Sequence, residues 1–233
     1  MFSFEDVLDA LGVSQQTGLK HASLLRGRGY LVLFGRRGRS RQYRLLSPEQ
    51  AIFAHLHMKN LAGLRQGRYT HLLVDACSQL HRARKLVLSG LWLFGSVATR
   101  EARDDSDVDL VVVAKSLTGR RAEMTGTVYA SLDIARERQF LYQNGVATDL
   151  SIYALKEEEL RRFYPLLLDV VEDGIVLYER EGILTRAAGL LRARWSEVGM
   201  RREKLSKGWM WTIPSGQEVG KPLEVRETVR GVP

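Results

Sequence analysis

The sequence predicts an α/β (α+β) chain: a small mixed sheet crossed by helices, preceded by a compact helix-and-hairpin unit and followed by a basic helix and tail. Three observations predict it. Strand-like apolar runs at LVLSGLWLF, VDLVVVA and VATDLSIYAL are separated by stretches of helical character, which implies a sheet with crossing helices. The first 47 residues instead read helix, turn, helix, hairpin. The charge also divides the chain: residues 1–47 carry 8 Lys/Arg against 3 Asp/Glu, residues 48–179 carry 16 against 18, and residues 180–233 carry 11 against 6. The net charge of +8 therefore sits at both ends, suggesting a polyanionic partner, with a slightly acidic middle set to a different task. Arginine outnumbers lysine, which a GC-rich genome, a thermophilic source or phosphate binding would each produce.

At 233 residues and 45% apolar content the chain can bury a core of one large or two small domains. The run Leu86–Phe94 is interrupted by Ser89 and Gly90 and is far short of the ~20 residues of a membrane helix. The start, MFSFEDVLDAL, has neither a basic leader nor a long apolar region, so a cytoplasmic protein with no membrane partner is expected. Cys77 is the single cysteine, which excludes an internal disulfide and a cysteine-built zinc site.

In order along the chain, Phe4, Val7, Leu8 and Leu11 share a helical face that Gly12 can end. Ser14 can cap a second helix to Arg26, on which Leu19, Ala22 and Leu25 align. YLVLF and RQYRLL read as strands joined by GRRGRS. This order resembles a winged helix-turn-helix, taken as a domain over 1–47. The resemblance implies that the second helix, with Lys20, enters a DNA groove and that the wing, with Arg36, Arg37, Arg39 and Arg41, meets phosphates. A plain helix–hairpin layer with a solvated basic loop fits the same residues. A helix that usually precedes this pattern is missing, so the unit is either trimmed or completed by a downstream helix.

Residues 48–85 read as a helical connector, opened by the cap Ser47 and Pro48 and carrying the stripe Leu72, Leu73, Ala76 and Leu80. Cys77 and His81, four apart, can face together, as packing. A domain over 86–180 holds the strands, with one helical stretch from about LTGRRAEM to Asn144, Asp133 within it, and a further helix in KEEELRRFYPLLLDVVED. Residues 181–233 read as a basic amphipathic helix through GILTRAAGLLRARWSEVGMRREKL, then an extended tail with Trp209 and Trp211.

The chemistry concentrates in LWLFGSVATREARDDSDVDLVVV, residues 91–113. In a strand Asp107 and Asp109 project to one side about 6.5 to 7 Å apart. At an effective dielectric near 20 they repel by roughly 2 to 3 kcal/mol. Asp149, an acid in the third strand-like run, is the best third candidate. Such a cluster is destabilising alone and becomes a site with one or two Mg²⁺, which prefer carboxylate oxygens and leave positions for substrate phosphates. Gly95 allows close backbone approach, and Ser96 offers a hydroxyl and an N–H to phosphate oxygens. Asp104 and Asp105 read as a solvated loop.

Gly-Ser, ten residues, then Asp-Val-Asp, and later a strand acid resembles the DNA polymerase beta-like nucleotidyltransferase superfamily, and SDVDL resembles its minimal members. The resemblance covers about residues 86–155. It implies that Gly95 and Ser96 hold the triphosphate of ATP or another NTP, that Asp107 and Asp109 ligate two Mg²⁺, and that Asp149 ligates one of them and helps deprotonate an acceptor hydroxyl. The hydroxyl then attacks the α-phosphate, moving NMP, most simply AMP, and releasing pyrophosphate. The acceptor classes it permits are a protein side chain, including one on a HEPN-type toxin partner, a small molecule and an RNA end, the last being least favoured by so short a chain. Minimal members often read Gly-Ser-aromatic-Ala-Arg-Gly; here GSVATRE places the arginine one residue late, at Arg100. The competing reading is a DNA-binding transcriptional regulator whose nucleotidyltransferase fold senses nucleotide, or is inactive.

Overall fold

The computed structural model describes residues 1–64, 66–206, 208–219 and 221. Helix α1 (Phe4–Leu11) opens on a reciprocal cap between Ser3 and Asp6, and α2 (Gln15–Gly27) on the Ser14 hydroxyl. The two helices meet at Gly18, where a Cβ would stand 2.2 Å from Leu8 Cδ2. Strands β1 (Leu31–Arg37) and β2 (Ser40–Leu45) form an antiparallel hairpin from Leu31↔Leu45 to Arg37↔Ser40. Helix α3 (Pro48–His57) packs principally on α4 (Thr70–Arg82) rather than completing the α1–α2 layer. On α2 Leu19 stays more than half exposed while Ala22 and Leu25 are half-buried, so the expected apolar face of that helix is only partly covered.

The centre is a four-stranded mixed sheet in the order β5-β4-β3-β6. It consists of β3 (Leu88–Phe94), β4 (Val108–Ala114), β5 (Leu150–Leu155) and β6 (Ile175–Glu179). Strands β4 and β5 are parallel, and the other pairs are antiparallel. Both faces are covered, which explains why VDLVVVA reads as a continuous apolar run. Leu91, Leu93, Leu110 and Val112 pack with α4 in one core; Trp92, Val111 and Val113 pack with α8 (Pro165–Asp173) and α9 (Ile183–Glu197) in the other.

The connection between the parallel strands differs from the single helix expected. It holds α6 (Arg121–Tyr129) and α7 (Ala135–Gln143). Between them the Gln79 side chain accepts from the Asp133 N–H at 2.5 Å and donates to its carbonyl at 2.8 Å, so Asp133 stands outside both helices. The basic helix is also shorter than expected. Gly199, at φ +78, ends α9, and the chain returns as the hairpin β7 (Arg201–Lys204) and β8 (Trp209–Thr212). Trp211 packs edge-on to Trp195 at 5.7 Å, and Arg202 pairs with Asp173 while lying over Trp209. Trp209 and Trp211 thus belong to a docked hairpin; residues 213–219 beyond it hold no helix or strand, the Lys221 carbonyl accepts from the Phe163 N–H at 2.7 Å, and the tail from residue 222 on lies outside the described residues. Cys77 is fully buried, which pushes its thiol up, while His81 packs with Phe53, His57 and Tyr178. No described helix is long and apolar enough to cross a membrane.

His71 on α4 ties the hairpin to the sheet domain by donating from Nε2 to the Leu45 carbonyl at 3.1 Å. Burial pushes its pKa down to about 4, with the Arg44 charge acting the same way. The native state therefore refuses a proton that the unfolded chain accepts at about 6.5. Its contribution is complete above that pH and falls away as pH drops toward about 4, by roughly 2 to 3 kcal/mol. His71→Gln is expected to flatten the loss of urea resistance between pH 7 and pH 4.5; an unchanged pH slope would refute this account.

Candidate active site

One end of the sheet gathers the residues singled out above. Strand β3 arrives there as β4 and the parallel β5 depart, so Gly95, Asp107, Asp109 and Asp149 share a single edge. Register pairs Phe94 with Asp109 and Asp109 with Ser151. Val108 and Leu110 are fully buried while Asp109 is half-buried and Asp107 exposed, so the period of two that fills the core also sends the Asp109 carboxylate away from it.

Gly95 has φ +67, and a Cβ there would lie 2.2 Å from Asp109 Oδ2. The position needs glycine for its conformation and for the space the carboxylate takes. The turn opens α5 (Gly95–Thr99), which places half-buried Ser96 in its first turn, where backbone N–H groups have no partner within the helix. Arg100 closes α5 in the left-handed region at φ 74 and is exposed.

The Asp109 carboxyl is held above the usual aspartate range, chiefly by burial. A hydrogen bond from Ser151 opposes the rise, and the Asp107 charge adds to it. Asp107 Oδ1 lies 3.3 Å from the Asp149 N–H. Asp149 Oδ1 accepts from the Leu150 N–H at 2.7 Å, and its Oδ2 pairs with Arg138 on α7 at 2.8 Å. Among the described residues no three His, Cys, Asp or Glu side chains are gathered tightly enough to hold a metal ion. Asp107 and Asp109 nevertheless suit a hard cation: both offer only oxygens, and Asp109 carries a negative charge its surroundings do not neutralise. Asp149 would have to exchange Arg138 for the cation.

Sequence reasoning missed two groups of residues. Arg138 and Ser151 touch site acids, and Ser151 had a signal, since it lies two residues beyond Asp149 on a strand. The return loop is the other case. Gln66 and Arg68 donate to the Ala102 carbonyl, Arg68 and Tyr69 to that of Arg103, and Arg68 pairs with Asp104. Asp104 and Asp105 are exposed, as a solvated loop has them, and the pair with Arg68 is made at that surface. Lys20, Arg36, Arg37, Arg39 and Arg41 are all exposed in the N-terminal unit, apart from this edge. Arg39 and Arg41 line a cleft between the hairpin and α2 with Arg26.

Residues 82–182 match the family model described as polymerase beta, nucleotidyltransferase. That stretch contains all four strands of the central sheet. A relative from Methanocaldococcus jannaschii, named "Putative protein adenylyltransferase MJ1305", is 31% identical over 94 residues, 40% of this chain. The chain spans 60% of that relative's length. Similar solved structures include a toxin–antitoxin with AMP-PNP, 20% identical, covering 54% of this chain and 90% of that one with a TM-score of 0.30. Another is the toxin–antitoxin MntA-HepT, 19% identical, covering 55% and 89% with a TM-score of 0.26.

Proposed function

We propose that the chain transfers a nucleoside monophosphate, most simply AMP from ATP, to an acceptor hydroxyl with release of pyrophosphate. The observation that carries this reading is the convergence of Gly95, Ser96, Asp107, Asp109 and Asp149 on one sheet edge within a nucleotidyltransferase domain. Gly95 and Ser96 receive the triphosphate. Asp107 and Asp109, joined by Asp149 when it gives up Arg138, are the residues to hold Mg²⁺, which when bound offsets the charge of the phosphates and of the attacking and leaving oxygens. Asp149 accepts the proton of the acceptor hydroxyl as its oxygen bonds to the α-phosphorus and the bond to the pyrophosphate oxygen breaks. Arg100, exposed at the end of α5, is the candidate to meet the leaving phosphates. The relative's name favours a protein hydroxyl as acceptor, and a HEPN-type toxin is the partner the sequence resemblance suggests. The domains proposed are those of the sequence reading, 1–47, 48–85, 86–180 and 181–233.

Incubation with α-labelled ATP, Mg²⁺ and cell extract tests the activity. Label should pass to a macromolecule with wild type and fall by about a hundredfold or more with Asp107→Ala. Equal labelling by both would overturn the reading.

The basic N-terminal unit supports a second role, DNA binding, through its exposed Arg36, Arg37, Arg39 and Arg41 on one hairpin and Lys20 on α2. Replacing Arg36, Arg37 and Arg39 with alanine is expected to weaken duplex binding and to flatten its salt dependence by roughly 0.9 per lost phosphate contact. An unchanged slope would remove the hairpin as a DNA reader. DNA binding by a protein without transfer activity would favour the regulator over the enzyme.

A further inference from the structure

Asp149 is the site acid that already has a cation beside it. Arg138 reaches it from α7, and both side chains are about half exposed, at 46% and 48%. The neighbouring Glu137 serves a different element. It is buried and takes both terminal nitrogens of Arg44 from β2, with Arg44 and Glu137 side chains only 14% and 9% exposed. The Arg44 guanidinium also lies over Phe140 at 3.9 Å, and Phe140 meets Phe34 of β1 edge-on at 5.6 Å. Consecutive helical residues point about 100° apart, so a single short helix can be gripped by the N-terminal hairpin and still touch the sheet edge. The two ion pairs differ in kind: the buried one resists breaking, whereas the half-exposed one is cheap to exchange. A cavity of about 520 Å³ lined by Asp107, Arg138, Gln139, Tyr142, Thr148 and Asp149 leaves room for that exchange.

We propose that Arg138 is a positioning residue that occupies Asp149 until a divalent cation displaces it, and that the Arg44–Glu137 clamp sets where α7 presents it. The inference rests on the reading of Asp107, Asp109 and Asp149 as cation-binding acids. It makes the N-terminal hairpin part of the tuning of the site, because the hairpin determines how firmly the third acid is held back.

Calorimetric titration of the full chain with Mn²⁺, without nucleotide, tests it. Arg138→Gln should bind Mn²⁺ about fivefold more tightly, roughly the exchange of one half-exposed pair. Arg138→Lys, which keeps a cation, should stay within about twofold of wild type. In an Asp149→Asn background Arg138→Gln should have no effect. Arg44→Met should tighten binding in the same direction by a smaller factor; if its circular dichroism shows a lost fold, Phe140→Leu replaces it. Unchanged or weaker binding by Arg138→Gln, or tightening that persists without Asp149, would overturn the role of Arg138. Wild-type affinity in both clamp variants would overturn the role of the clamp. If Asp107→Ala binds Mn²⁺ as wild type does, the cation site falls and this inference with it; if Asp107→Ala loses binding while Arg138→Gln changes nothing, this inference alone falls.

Discussion

Glu137→Ala is expected to cost about 3 kcal/mol of stability, because it leaves the Arg44 guanidinium buried without its carboxylate. In a chain of this size that corresponds to a fall of about 6 to 12 °C in Tm. The penalty comes from an unpaired buried charge, so removing both charges together should recover much of it. Arg44→Met with Glu137→Leu is therefore predicted to unfold at a higher temperature than Glu137→Ala alone. A thermal melt in which the double variant is no better than the single one would refute the account. Arg138→Gln breaks a half-exposed pair and should shift stability by less than about 1 kcal/mol.

Gly95→Ala should affect both stability and transfer. A side chain at φ +67 costs about 1 to 2 kcal/mol, and its methyl group would overlap Asp109 Oδ2. The carboxylate has to move, and a displacement near 1 Å at a reacting group can cost about a hundredfold in rate. Transfer of labelled AMP should therefore fall by about that factor while the chain remains folded. A lowered Tm with full transfer would mean that the placement of Asp109 is irrelevant to the chemistry.

The sheet was legible because its signals are local. VDLVVVA and LWLF are too apolar to be exposed, and strand alternation by itself places Val108 and Leu110 opposite to Asp109. The Gly-Ser and Asp-Val-Asp spacing was legible for the same reason: a strand, a turn and a return strand lie close together in the chain. The split of the helix at Asp133 was not, since the Gln79 side chain that holds the Asp133 backbone comes from 54 residues away. The end of α9 was half legible: Gly199 is visible in the text, but charge and periodicity continue past it. The packing of Trp211 on Trp195 and the pairing of Arg202 with Asp173 hold MRREKL as a hairpin arm, and both contacts are tertiary.

By itself, the sequence determined that acids interrupt a buried strand beside a glycine turn, the pattern on which the proposed phosphate and cation chemistry rests. Only the tertiary structure decided which cation stands beside Asp149 in the folded chain. Arg138 and Asp149 are eleven residues apart with a turn between them, and periodicity carries no information about such a contact. Their meeting depends on where α7 lies, and α7 is held by Arg44, 93 residues before its partner Glu137. Contacts over that separation arise from packing the hairpin against the sheet domain, so they exist only once the whole chain has folded.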